Sequence, residues 1–253
     1  MPKRDLEFTK PLINAAGSLG FSPDVRAPIS WDEFGAFVTN PISMRPRLAA
    51  ESAALMEYPG GFLLHSGLPN PGFRWVLQHN ERAWGQSPLP TIVNLMADRP
   101  DETREMVRAL EGMDNLLAIE LGFAPLLTDD LILLAVEMSA GEAALIVKLP
   151  SEQLLRLGPQ VLDRGATALS IAPPRGALPR EGGVVTGRLF GPGLFPRALA
   201  LVRTASSVGL PIIGGGGVFS AAHARAMLAC GAIAVELDVA LWLPGSNKKS
   251  LVN

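Results

Sequence analysis

Lys148 is the residue in this sequence best suited to chemistry, because it ends an apolar run, Ala144-Leu145-Ile146-Val147, that predicts a buried strand. A buried ammonium group needs an anion or an electron-rich ligand to compensate its charge. The carboxyl ends of parallel strands are also where α/β barrels place their catalytic groups. Lys148 therefore predicts either a ligand site or an ion pair, with Glu120 or Asp238 as the acidic partner.

A run of four glycines, Gly214-Gly215-Gly216-Gly217, is the second feature that could do chemistry. Glycines let backbone N–H groups approach an anion, and a helix beginning near Ser220 would add its dipole. A strand-to-helix turn needs only one or two glycines, so four favour the approach of a ligand. Because barrels often bind phosphate between their last two strands, the run predicts a phosphate-binding turn.

Eight short apolar runs, separated by helical patterns, would position these residues. They cover residues 12–16, 36–39, 91–95, 117–121, 144–149, 168–171, 211–213 and 233–237. Most are continuous rather than alternating, which is typical of strands buried on both faces of a parallel sheet. The sequence therefore predicts an α/β fold, a (β/α)₈ TIM barrel formed as one domain by residues 1–253.

Two stretches, residues 44–85 and 173–196, are too long and too rich in Gly and Pro to be simple connections. Long loops within a compact domain are usually functional. In a barrel both would extend from the C-terminal face, beside Lys148.

Composition excludes several classes of protein. Of the 253 residues, 48% are apolar, and the net charge of −2 comes without any Lys/Arg block, which argues against nucleic acid or an anionic membrane as partner. No apolar stretch approaches the roughly 20 residues of a membrane helix. The single cysteine, Cys230, excludes an intrachain disulfide and a cysteine-based metal cluster. We expect a cytoplasmic protein with a small-molecule substrate and no metal.

Six segments, in this order, resemble the dihydroorotate dehydrogenase family of FMN-dependent barrels, in its soluble class. They are Asn14-Ala15-Ala16-Gly17, Gly35-Ala36-Phe37-Val38-Thr39, Ser66-Gly67-Leu68-Pro69-Asn70-Pro71-Gly72, Val147-Lys148-Leu149-Pro150, the spaced residues Gly187, Gly191-Pro192 and Pro196, and Ile212-Ile213 with the glycine run. The resemblance implies an FMN oxidoreductase of pyrimidine biosynthesis. It also implies a homodimer or an electron-transfer subunit as partner.

The resemblance assigns roles to particular residues. It places Lys148 beside the N1/O2 edge of a flavin, as a catalytic residue. His65 stands where the family has an asparagine before the 67–72 loop, and it is the second candidate catalytic residue. The implied cofactor-binding residues are Ala16, Gly17, Asn94, Lys148, Gly191, Gly215, Gly216 and Gly217. Leu68 and Asn70 would bind substrate under the 67–72 loop.

The departures from the family pattern fall at the chemistry. Where the family has a general-base cysteine in Asn-x-Ser-Cys-Pro-Asn, this sequence reads Glu120-Leu121-Gly122-Phe123-Ala124-Pro125-Leu126. Loss of a positioned base typically slows a reaction by about 10²–10⁴-fold. Asp238 stands where the family binds phosphate and would repel it, and Arg188 and Phe190 replace small residues beside the flavin. FMN binding is therefore left open.

Three hypotheses follow. The first is a flavin enzyme that transfers a hydride between a small cyclic or carboxylated substrate and FMN. The second is a catalytically degenerate relative that acts as a ligand-binding or partner subunit. The third is a lyase or isomerase with Lys148 as an amine nucleophile, which would require a lowered lysine pKa.

Overall fold

The computed structural model describes residues 5–24 and 26–242. Its strands are β1 (Leu12–Asn14), β2 (Phe34–Val38), β3 (Ala54–Tyr58), β4 (Gly61–His65), β5 (Thr91–Met96), β6 (Leu116–Gly122), β7 (Ala144–Leu149), β8 (Ala168–Ile171), β9 (Arg175–Arg180), β10 (Gly183–Phe190), β11 (Ile212–Gly214) and β12 (Ala234–Leu237). Its α-helices are α1 (Phe73–Gly85), α2 (Pro100–Leu110), α3 (Asp129–Ser139), α4 (Ser151–Asp163), α5 (Phe195–Ser207) and α6 (Ala221–Ala229).

Eight parallel strands close into a barrel in the order β1-β12-β11-β8-β7-β6-β5-β2. Each of the eight apolar runs overlaps one of these strands, so the predicted (β/α)₈ barrel is confirmed. The β1–β2 seam is short, and the buried Asn14 side chain reinforces it by bonding both backbone groups of Val38, at 2.7 and 2.8 Å. Asn14 therefore helps to close the barrel.

The two long segments pair with each other to form a second sheet. Strands β3, β4, β10 and β9 form an antiparallel sheet in that order, with Leu63 of β4 opposite Leu189 of β10. The pairing is close, because a β-carbon on Gly187 would lie 2.7 Å from the Leu64 carbonyl oxygen. The sequence predicted extended loops here; the structure shows two hairpins joined edge to edge.

The barrel interior has an apolar layer and a polar layer. The apolar layer consists of small and β-branched residues from all eight strands, such as Ala118, Ile146 and Ala234. Two residues further along each strand, the same face points inward again. There the chain places polar side chains, including Glu120, Lys148 and Glu236, at the carboxyl ends of the strands. The fold thereby gathers ionisable groups at one end of the barrel.

Candidate functional site

A buried cluster of charged residues occupies the carboxyl end of the barrel. The Lys148 Nζ donates to both carboxyl oxygens of Glu236, at 2.8 and 2.9 Å, and lies 3.1 Å from Glu120 Oε1. Glu120 also accepts hydrogen bonds from Asn94 Nδ2 at 2.6 Å and from Ser170 Oγ at 2.7 Å. Each of the three charged residues is at most 9% exposed. The cluster therefore compensates the charge of Lys148 without a ligand.

The predicted acidic partner was right for Glu120 and wrong for Asp238. Glu236 pairs with Lys148 instead, because it faces inward on β12, whereas Asp238 follows the end of that strand.

The pKa values of this cluster are shifted in opposite directions. Burial raises the pKa of Glu236 to about 8, with the Glu120 charge acting in the same direction and Lys148 opposing it. Burial also acts to raise the pKa of Glu120, but Lys148 and the hydrogen bonds outweigh it and the pKa is lowered. The two carboxylates outweigh the burial of Lys148 and raise its pKa. These shifts favour the ionised forms of Lys148 and Glu120 and the protonated form of Glu236.

The raised pKa of Lys148 removes the basis of the lyase hypothesis. An amine nucleophile must be unprotonated at the working pH, which requires a lowered pKa. Two carboxyl groups within 3.1 Å hold this lysine as an ammonium ion.

A cavity of about 790 Å³ opens at the same end of the barrel. Lys148, Glu236 and Asn94 line it, together with both hairpins of the antiparallel sheet. The predicted residues Ala16, Gly17, His65, Leu68, Gly215 and Gly216 also line it. The structure thus brings most of the predicted site residues to one cavity.

Asn70, Gly191 and Gly217 do not line this cavity. The Asn70 side chain is buried and accepts hydrogen bonds from the Ser43 and Gly72 N–H groups, at 3.2 and 3.0 Å. It therefore holds the 67–72 loop in place, and its predicted contact with substrate has no support from its position. At Gly191, a β-carbon would lie 2.2 Å from the Gly60 carbonyl oxygen, so this glycine permits close backbone packing.

The glycine turn faces a carboxyl group. Asp238, only 8% exposed, lines the cavity next to Gly215 and Gly216. Burial raises the pKa of Asp238 to about 6, and the backbone N–H groups of Val239, Ala240 and Gly217 oppose that shift. The Asp238 Oδ1 has no hydrogen-bond partner among the described residues. The Gly217 N–H of the glycine turn, which could bind an external anion, is therefore directed toward an internal one.

The segment after β6 contains no ionisable side chain between Gly122 and Leu127, although it lines the cavity. His65, at the end of β4, is half-buried and also lines it. His65 is the histidine that the described part of the chain presents to the cavity. Its catalytic role stays a prediction.

Comparison with known proteins shows which family this chain resembles. The family model described as dihydroorotate dehydrogenase matches residues 4–123. The catalytic subunit of dihydroorotate dehydrogenase B (NAD(+)) from Streptococcus pneumoniae is 30% identical over 265 residues, which cover 93% of this chain and 84% of that protein. The chain belongs to the dihydroorotate dehydrogenase family.

Other relatives support the assignment. The same subunit from Trichlorobacter lovleyi is 28% identical over 260 residues, covering 94% of this chain and 86% of that protein. A crystal structure titled as DHODH in complex with ferulenol, from Eimeria tenella, superposes with a TM-score of 0.73 at 17% identity. It covers 97% of this chain and 80% of that one, and this likeness shows the fold. Within residues 5–24 and 26–242, no helix is long and apolar enough to cross a membrane.

The family implies FMN, but the residues of this site do not fit it. The phosphate would meet Asp238 at the glycine turn, and Glu236 Oε2 lies 3.2 Å from the position of a β-carbon on Gly215. Lys148, which would face the flavin ring, already pairs with two carboxyl groups. The phosphate of the cofactor would thus be placed against the buried Asp238 carboxyl group.

Sequence reasoning missed Glu236 and Ser170 as members of the site. Residues two positions apart on a strand share a face, and Ala234 and Ala168 face the barrel interior, so counting two residues onward from each would have identified them. Applied to β12 and β8, that step places Glu236 and Ser170 beside Lys148.

Proposed function

We propose that this chain is a dihydroorotate dehydrogenase-family barrel that binds a small-molecule ligand in its mouth without FMN, and that it does not perform the family's hydride transfer. The observation that carries the proposal is the buried Asp238 carboxyl group at the glycine turn. A carboxylate there takes the place of the phosphate and repels a second anion.

The chemistry of the cavity supports the same proposal. The segment that holds the family's general base has no proton-accepting side chain in this chain, from Gly122 to Leu127. Lys148 forms an ion pair with Glu120 and donates to Glu236, and so cannot stabilise developing negative charge as a free cation would. A ligand-binding role needs neither group.

The cavity itself favours a ligand. Its volume of about 790 Å³ lies within the ~300–1,000 Å³ that is usual for small-molecule sites. Several of its walls are apolar, including Phe123, Leu189 and Phe190. Apolar walls around a few polar groups are typical of such sites.

The flavin-dependent oxidation implied by family membership is the second candidate. The size of the cavity favours it, since a flavin-sized molecule fits within this volume. It would require Asp238 to be protonated or to move away from the glycine turn.

Flavin content separates the two candidates. We expect the purified protein to be colourless in the visible range and to leave the fluorescence of added FMN unchanged at pH 8. Stoichiometric flavin in the purified protein, or saturable quenching by micromolar protein, would refute the first proposal and favour the second. Heat-denatured protein at equal concentration is the control for nonspecific quenching.

A further inference from the structure

Arg175 and Arg188 are neighbouring cations on the wall of the cavity. They are direct cross-strand partners in the β9–β10 hairpin, and both line the cavity. Like charges directly opposite each other in an antiparallel pair destabilise the sheet. Placing these two positive charges side by side is therefore unfavourable unless a negative charge compensates them.

Neither arginine has an acidic partner within the part of the chain that the structure describes. No carboxyl oxygen lies within 4.0 Å of either guanidinium group in residues 5–24 and 26–242. Arg197, another arginine of the cavity, differs because it pairs with Glu152 at 2.8 Å. Arg175 and Arg188 thus leave a positive charge uncompensated at the cavity wall.

Arg188 is directed across the mouth of the barrel. Its Nη1 lies 3.8 Å from the position that a β-carbon on Gly17 would occupy, on the loop after β1. Its guanidinium carbon lies 5.5 Å from the centroid of the Phe190 ring. Burial, followed by the charge of Arg175, lowers the pKa of Arg188. The group is therefore partly desolvated, and an anion would relieve both effects.

We propose that Arg175 and Arg188 form an oxyanion site, and that the ligand of the cavity places a carboxylate or phosphate group against them. Guanidinium groups bind both oxyanions in a bidentate geometry. The Asp238 carboxylate also lines the cavity and repels an anion from the glycine turn. The charges of the cavity therefore orient such a ligand with its anionic end at the hairpin.

This inference names the ligand class of the proposed function and rests on ligand binding in this cavity. Titration calorimetry at constant ionic strength tests it, with inorganic phosphate and succinate as separate probes. We expect at least one probe to bind, and Arg188→Met to weaken that binding by about tenfold or more. The stronger of the two probes identifies phosphate or carboxylate as the preferred group.

Matched variants control for charge and for folding. Arg180→Met removes an exposed arginine of the same hairpin that does not line the cavity, and it should leave the affinity unchanged. Arg188→Lys, which keeps the charge, should retain part of the affinity. If Arg188→Met does not fold, Arg175→Met, at an exposed position, should still weaken binding severalfold.

Absence of binding for both probes would overturn the inference. Equal losses of probe affinity in Arg188→Met and Arg180→Met would also overturn it. Flavin absorbance is recorded in the same samples. If flavin is bound and the affinity for the probe still depends on Arg188, the proposed function is refuted and the oxyanion site is retained.

Discussion

Replacing Asp238 with Asn removes one negative charge from the glycine turn while keeping the volume of the side chain. We expect this variant to bind FMN more tightly than the wild type at pH 8. The physical reason is that the buried carboxyl group, with a pKa of about 6, is ionised at that pH and lies at the glycine turn, where the resemblance to the family would place the phosphate.

The magnitude follows from Coulomb's law. Two unit charges about 4 Å apart interact with roughly 4 kcal/mol at an effective dielectric constant of about 20. Removing that repulsion corresponds to roughly a thousandfold gain in affinity. At pH 5, Asp238 is largely protonated in the wild type, so the difference between the two proteins should shrink strongly.

Fluorescence quenching of FMN measures both affinities, and riboflavin is the matched ligand because it lacks the phosphate. Asp238→Asn should leave riboflavin binding unchanged. Asp238→Gly, which also removes volume, should bind FMN at least as well as Asp238→Asn. The reasoning is refuted if wild type and Asp238→Asn have the same FMN affinity at pH 8, or if riboflavin gains as much as FMN.

Three further predictions concern stability. Lys148→Met should lower the free energy of unfolding by about 3–5 kcal/mol, since the buried Glu120 carboxylate loses its cation; a loss below about 1 kcal/mol in urea unfolding would contradict this. Glu236 has a pKa of about 8 in the folded protein against an ordinary value of 4.5. As pH rises from 4.5 to about 8, the unfolded chain therefore releases this proton before the folded protein does, and the contribution of Glu236 to the free energy of unfolding falls. Glu236→Gln should make this decline in the free energy of unfolding with pH shallower. If the free energies of unfolding of the two proteins change with pH in parallel across pH 4.5–8, this role of Glu236 is excluded. Gly191→Ala should lower Tm well beyond Gly182→Ala, because both have positive φ but only the former would place a β-carbon 2.2 Å from a carbonyl oxygen; equal shifts in differential scanning fluorimetry would argue against it.

Much of the barrel could be predicted from the sequence because its signals are local. All eight parallel strands coincide with short apolar runs, since a strand buried on both faces leaves few polar residues. Lys148 was identifiable for the same reason, as a charge at the end of one such run. The positions of both long segments beside the cavity also followed from the order of elements along the chain.

The pairing of the two long segments could not be predicted in the same way. Strand β4 pairs with β10 more than a hundred residues later, and nothing local to Leu63 or Leu189 indicates that contact. The same pairing places Arg188 beside the cavity. Asn70 was assigned to substrate because of its loop, but its hydrogen bonds to Ser43 and Gly72 depend on how that loop folds back.

The sequence alone determined that a lysine stands at the mouth of a barrel, because the run before Lys148 carries that information locally. Only the tertiary structure decided what the lysine meets. In strands buried on both faces, the apolar pattern does not reveal which residues point inward, and closure of the barrel sets that choice. Closure turned Glu236 inward to pair with Lys148 and left Asp238 facing the glycine turn.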